Sequence, residues 1–168
     1  MYIPLTSKIY PTAKVLSDEN HILEMGENCF IGDHACVYAR KLVMGNGSQI
    51  NPHAIIGGGG TVILGEKSVV GFGAKLFPAT DTPEGKYMCE SAPDDERMVI
   101  RGSIELGEGA YVGAGAVICV SKRCPNIFIG DHAVIGALSY IDRSIVVGLI
   151  IHPNVDMKYG LRKNNVAI

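Results

Sequence analysis

Met44-Gly-Asn-Gly-Ser-Gln-Ile50-Asn-Pro-His-Ala-Ile-Ile56 carries an aliphatic side chain at every sixth position, with Ser48 and Ala54 each four residues after one of them. Six fits neither the 3.6 period of an α-helix nor the alternation of a simple strand. It suits a strand of a few residues, a corner and another strand. The same phase extends outward in both directions. Met25, Ile31 and Val37 precede it; Leu64, Val70 and Leu76 follow; after an interruption come Leu106, Val112, Ile118 and then Ile129, Ile135, Ile141. Ten of these fifteen residues are followed directly by glycine, from Gly26 to Gly136. The corresponding small residues run from Cys29 and Ala35 to Ala133 and Ser139.

Three such sides close a triangular coil with the aliphatic residues inside and Gly or Asn at the sharp turns. One coil cannot bury its own core, so coils must stack at strand spacing, about 4.8 Å. The predicted fold is all-β: a left-handed parallel β-helix of hexapeptide repeats, one domain over residues 1–168. Residues 1–24 are expected to form a starting coil and cap. Residues 78–103, rich in Pro, Asp and Glu, form an excursion loop, since a polar segment of that length within a compact repeat has its own purpose. Residues 145–168 form a short C-terminal tail.

Composition narrows the function. Hydrophobic residues make up 47% and charged residues 19%, too apolar for disorder, and the net charge of −2 comes with no basic patch. Nucleic acid is therefore a poor partner. Five cysteines without a Cys-x-x-Cys pair read as thiols in a reduced compartment. No apolar run is long enough to span a bilayer and no signal peptide is visible, so the expected location is cytoplasmic.

The repeat and its loop resemble the hexapeptide-repeat acyltransferases, and more narrowly the sugar O-acetyltransferases of surface-polysaccharide pathways and the xenobiotic and galactoside acetyltransferases. The general likeness covers about Met25 to Ile141. The narrower one rests on Ile50-Asn-Pro-His-Ala-Ile-Ile-Gly-Gly-Gly-Gly60, on Ala79-Thr-Asp-Thr-Pro-Glu-Gly-Lys-Tyr87 with Pro93 and Gly102, and on Val134-Ile-Gly-Ala-Leu-Ser-Tyr140. The resemblance implies a homotrimer, acetyl-CoA as cosubstrate, no metal, and transfer of the acetyl group to a hydroxyl or amino group of a sugar or nucleotide-sugar. Two features depart from relatives: the loop offers Thr80, Asp81 and Thr82 where many carry a histidine, and Gly148-Leu-Ile-Ile-His-Pro153 stands where many have Gly-Asn-Pro-Ala.

Acyl transfer from a thioester needs a base for the acceptor's proton, a role that suits a neutral histidine, together with backbone amides for the developing oxyanion. His34 and His53 each stand three residues after an inward aliphatic, so they share one corner of successive coils. Gly73 and Gly115 continue that column and leave an open step beside the pair. His53, near the glycine run, is the favoured base; His34 is the second candidate, and Asp81 assists from the loop. His132 falls on a different corner, and His21 and His152 read as surface residues. Gly113, Ala114, Gly115 and Ala133 are candidates to lie along a pantetheine arm, with Lys122 and Arg162 for the CoA phosphates. Gly57–Gly60 lacks the Lys-Ser/Thr of a nucleotide-binding P-loop. A non-catalytic hexapeptide scaffold and a γ-class carbonic anhydrase-like metalloenzyme are the alternatives; the latter would need a third histidine in a matching column.

Overall fold

The computed structural model describes residues 3–153. It is a parallel β-solenoid whose short strands stack into three sides. Side A holds Lys8–Ile9, Phe30–Ile31, Gln49–Ile50, Val69–Val70, Tyr111–Val112, Val134–Ile135 and Ile150–Ile151. Side B holds Lys14–Val15, Cys36–Val37, Ile55–Ile56, Lys75–Phe77, Val117–Cys119 and Tyr140–Ile141. Side C holds Ile22–Met25, Lys41–Met44, Thr61–Leu64, Ser103–Leu106 and Asn126–Ile129. All fifteen periodic aliphatics are buried, and they align in register, as in Ile31, Ile50, Val70, Val112 and Ile135 on side A. Full burial of one Ile, Leu or Val is worth about 1.5–3 kcal/mol, so the three inward columns supply the driving force for stacking.

The ladder runs past the predicted tail boundary. Ile145 bridges Ile129, and Ile150–Ile151 pairs with Val134–Ile135. At the other end the first coil is already in register, with Lys8–Ile9 on Phe30–Ile31 and Lys14–Val15 on Cys36–Val37.

Two of the three corners are tight, and they divide the turn between two positions. The glycine after each inward aliphatic is needed for close approach. A Cβ on Gly45 would lie 2.8 Å from the Glu66 nitrogen, and one on Gly65 2.6 Å from the Gly107 carbonyl carbon. The left-handed conformation falls two residues later. At the corner from C to A it is taken by Asn28, Gly47, Lys67, Gly109, His132 and Gly148; from A to B by His34, His53, Gly73, Gly115 and Leu138. The corner from B to C has no such column, and there the excursion loop leaves the coil after Phe77 and returns at Ser103. Gly73 tests the distinction. Its Cβ would meet nothing within 4 Å, yet its φ is +63°. Gly73→Ala is expected to cost about 1–2 kcal/mol, the penalty of the left-handed region alone, measured as a small loss in chemical denaturation.

Candidate active site

The excursion is an ordered structure. Its two ends form an antiparallel stem, Ala79–Thr80 against Ile100–Arg101, and Gly102 donates its N–H to the Pro78 carbonyl. Gly57–Gly60 is the seat of this stem. A Cβ on Gly57 would lie 3.0 Å from the Phe77 ring, on Gly58 3.0 Å from the Ala79 carbonyl oxygen, on Gly59 3.2 Å from Arg101 Nε, and on Gly60 2.3 Å from the Pro78 oxygen. The glycine run therefore lets the loop pack down on the coil below.

Beyond the stem, a single helical turn, Asp94–Arg97, folds back. Arg97 donates from Nε and Nη2 to the same oxygen of Asp81, at 3.0 and 2.8 Å, and both side chains are largely covered. Thr82, also buried, donates its hydroxyl to the Met98 carbonyl, and Arg101 pairs with Asp94 at 2.7 Å. Asp81 is thus held by one oxygen, and no hydrogen bond to the other occurs among the described residues.

His34 and His53 do share a corner. Their rings stack with centroids 5.1 Å apart and planes 21° from parallel, and both side chains are exposed. The left-handed backbone, which histidine tolerates better than most residues, turns them outward at φ 57° and 62°. The step beyond them is open at Gly73. At Gly115 it is not: the Leu138 side chain leans over that residue, 2.8 Å from where a Cβ would be.

Asp81 and His53 do not meet within one chain. Asp81 belongs to the B–C corner and His53 to the A–B corner. The stretch from His53 to Gly58 spans the whole of side B, on the order of 15 Å at strand rise. The pantetheine set is also divided. Ala133 is fully buried in the core, where it cannot line a surface groove, and Gly113 lies beneath the next coil, its Cβ position 2.5 Å from the Ala137 nitrogen. Ala114 and Gly115 reach the surface. Lys122 is exposed on the loop side, its Nζ 3.9 Å from Glu84. Arg162 lies outside the described residues.

Sequence reasoning missed the company Asp81 keeps. Beneath the excursion lies an open cleft of about 760 Å³ lined by residues far apart in the chain, Leu16, His21 and Tyr38 on one wall and Thr80, Asp81, Glu90, Arg97 and Arg101 among those facing them. His21 Nδ1 lies 2.8 Å from Asp18 Oδ1, which also accepts the Asn20 N–H at 2.8 Å. The imidazole and that amide hold the Asp18 carboxyl below its ordinary range. The one local signal was Asp18 three residues before His21, which by itself reads as turn chemistry. Among the described residues no group of three or more His, Cys, Asp or Glu is placed to hold a metal, and no helix is long and apolar enough to cross a membrane.

The cysteines differ sharply in setting. Cys89, exposed on the loop, bonds to the Ser91 hydroxyl at 3.0 Å, and that hydroxyl, ahead of the Ser91 amide, draws the thiol below its ordinary range. Burial pushes Cys119 up, with the Thr80 hydroxyl opposing. Under limiting iodoacetamide Cys89 is expected to be alkylated first, as peptide mass spectrometry would read, because reaction follows thiolate content and access.

The fold is shared with several acyltransferases of known structure. A serine-to-alanine variant of AntD, an N-acyltransferase from Bacillus cereus solved with dTDP-4-amino-4,6-dideoxyglucose and coenzyme A, matches with a TM-score of 0.77 at 22% identity, over 87% of this chain and 75% of that one. The acetyltransferase domain of PglB from Neisseria gonorrhoeae, in complex with acetyl-CoA, gives 0.58 at 20% identity, over 87% and 54%. PerB from Caulobacter crescentus, with CoA and GDP-perosamine, gives 0.51 at 21% identity, over 87% and 53%. No protein-family model matches the sequence, and no curated protein matches it.

Proposed function

We propose that the protein is an acyl-CoA-dependent acyltransferase that moves an acetyl group from acetyl-CoA to a hydroxyl or amino group of a sugar or nucleotide-sugar. The observation that carries this reading is the pairing of a β-helix with an ordered excursion that holds a carboxylate, Asp81, at an open cleft roomy enough for a sugar. The structural neighbours that share this architecture bind CoA together with nucleotide-linked amino sugars or act as acetyltransferases, which supports the choice of donor and acceptor.

Within one chain, side B separates His53 from Asp81, so a site using both needs a second copy to bring the A–B corner of one subunit against the excursion of its neighbour. The outward faces are suited to such contact. The outward row on side A is mostly apolar, Phe30, Val69, Tyr111, Val134 and Ile150 with Gln49 among them, and that on side B holds Cys36, Ile55, Val117 and Tyr140 with Lys75 among them. A homotrimer in the cytoplasm, serving polysaccharide synthesis, is the assembly and setting proposed. In it, His53 takes the acceptor's proton as the acceptor attacks the thioester carbonyl. The C–S bond then breaks, and CoA leaves as the thiolate. His34 backs the ring, Asp81 of the neighbour faces the acceptor, and the open step at Gly73 admits the pantetheine arm.

Titration calorimetry with acetyl-CoA and desulfo-CoA is the direct test. One saturable site per chain is expected, followed by acetyl transfer in a screen of nucleotide-activated amino sugars and sugars. A chain that binds neither compound at millimolar concentration is not an acyltransferase of this kind, and a scaffold reading replaces it.

A further inference from the structure

The cleft beneath the excursion has a wall that the proposed chemistry does not use. His21 comes from the first coil, more than fifty residues before the loop it faces, and its ring is about three-quarters covered (25% exposed). Its Nδ1 is engaged by Asp18, and Asp18 is fixed in turn by the Asn20 amide, while the His21 N–H reaches the Asp18 carbonyl at 3.2 Å. A carboxylate on Nδ1 selects the tautomer with the proton there, which leaves Nε2 as a hydrogen-bond acceptor. The imidazole is thereby held in one orientation before any ligand arrives.

The other walls are equally fixed. Arg97 is clamped to Asp81 and Arg101 to Asp94, and Arg101 lies across Gly59, whose missing side chain leaves it room. Half-buried Tyr38 adds an aromatic surface. The two carboxylates of the lining, Asp81 and Glu90, balance its two guanidinium groups, and both guanidinium groups are already paired, so these walls offer a diphosphate no excess of positive charge. Planar polar groups of both signs around one aromatic ring instead match the hydroxyls and the C–H face of a pyranose.

We propose that this cleft seats the sugar ring of the acceptor and that His21, oriented by Asp18, accepts a hydrogen bond from one of its hydroxyl groups. The inference rests on the acyltransferase reading and assigns its acceptor subsite: the sugar sits under the excursion of the same chain that supplies Asp81, with any nucleotide outside. His21 and Asp18 are specificity residues here, with no part in proton transfer.

The test is steady-state kinetics on the full chain with acetyl-CoA and whichever acceptor the screen finds. His21→Asn and Asp18→Ala are expected to raise the acceptor KM about tenfold, the loss of one buried hydrogen bond, with the acetyl-CoA KM unchanged. Asp18→Asn, which can still accept from Nδ1, should lie between these and the wild type. An acceptor KM within twofold of wild type in both His21→Asn and Asp18→Ala overturns the proposal. Should the wild type transfer to no acceptor, the function reading fails separately, and direct binding decides this one. D-glucosamine, D-glucose and thymidine diphosphate would be titrated against the histidine imidazole NMR signals. Saturable shifts of His21 by a free sugar, absent in Asp18→Ala, support the seat. Shifts by thymidine diphosphate alone, or by none of the three, sink it.

Discussion

His53→Ala is expected to reduce acetyl transfer at least ~100-fold while the assembly persists, the usual cost of removing a positioned general base. The geometry makes this a clean experiment. The imidazole is exposed, stacks only on His34, and carries no core packing, so its removal opens no cavity. Its backbone, at φ 62°, is the one complication, because alanine in the left-handed region costs about 1–2 kcal/mol. His53→Asn, whose side chain tolerates that region, is the companion variant and should lose activity equally with less effect on stability. Initial rates at saturating acetyl-CoA, with the mass of the assembly measured in parallel, separate the outcomes. Turnover near wild type in both variants would remove His53 from the chemistry.

The second large effect is on folding. Gly102→Ala should destabilise the protein by about 3 kcal/mol or more, the upper range for forcing atoms into a closed space. A Cβ there would lie only 1.6 Å from the Pro125 carbonyl oxygen and 2.6 Å from its carbon, atoms of backbone with no room to yield. Gly102 is where the returning strand of the excursion rejoins the coil, and its own N–H and C=O are committed, to Pro78 and from Thr61. Relief therefore requires moving either the loop's foot or the coil around Pro125. Thermal melting should register a loss on the order of 10 °C in Tm, against a small change for Gly73→Ala. Equal, small shifts in the two variants would show that the coil spacing is softer than the close contacts imply.

These contrasts mark what could be read from residues alone. Sixfold periodicity in Ile, Val and Leu reports burial, and burial is local to each coil, so Ile31, Ile50 and Val70 announced their column without knowledge of any partner. The histidine corner was legible for the same reason: counting three from Ile31 and Ile50 puts His34 and His53 one coil apart. The reason for the glycines was less visible. Gly45 and Gly65 are small because the next coil presses on them, through Glu66 and Gly107, contacts between residues far apart in the chain that no turn rule contains. Ala133 was read as a surface contact because its size suited one, whereas its place four residues after Ile129 is an inward position. The cleft was illegible in principle. Leu16, His21 and Tyr38 meet Asp81 and Arg101 only because the excursion folds back toward the first coils, and that direction is set by the Gly57–Gly60 seat and the Asp81–Arg97 pair.

The absence of a left-handed column at the corner from B to C has an evolutionary consequence. At the other two corners an inserted residue would throw every later coil out of phase with the one beneath it. At this corner chain can be added or exchanged without disturbing the registration of the stack, provided the inserted segment begins and ends close together, as the antiparallel stem at Ala79–Thr80 and Ile100–Arg101 does. The excursion wall of the cleft is then exchangeable on a constant frame, while the wall of Leu16, His21 and Tyr38 belongs to the frame itself. Grafting an excursion from a related β-helix onto positions 78 to 102 should alter sugar selectivity only in part, because Leu16, His21 and Tyr38 of the coils stay in place.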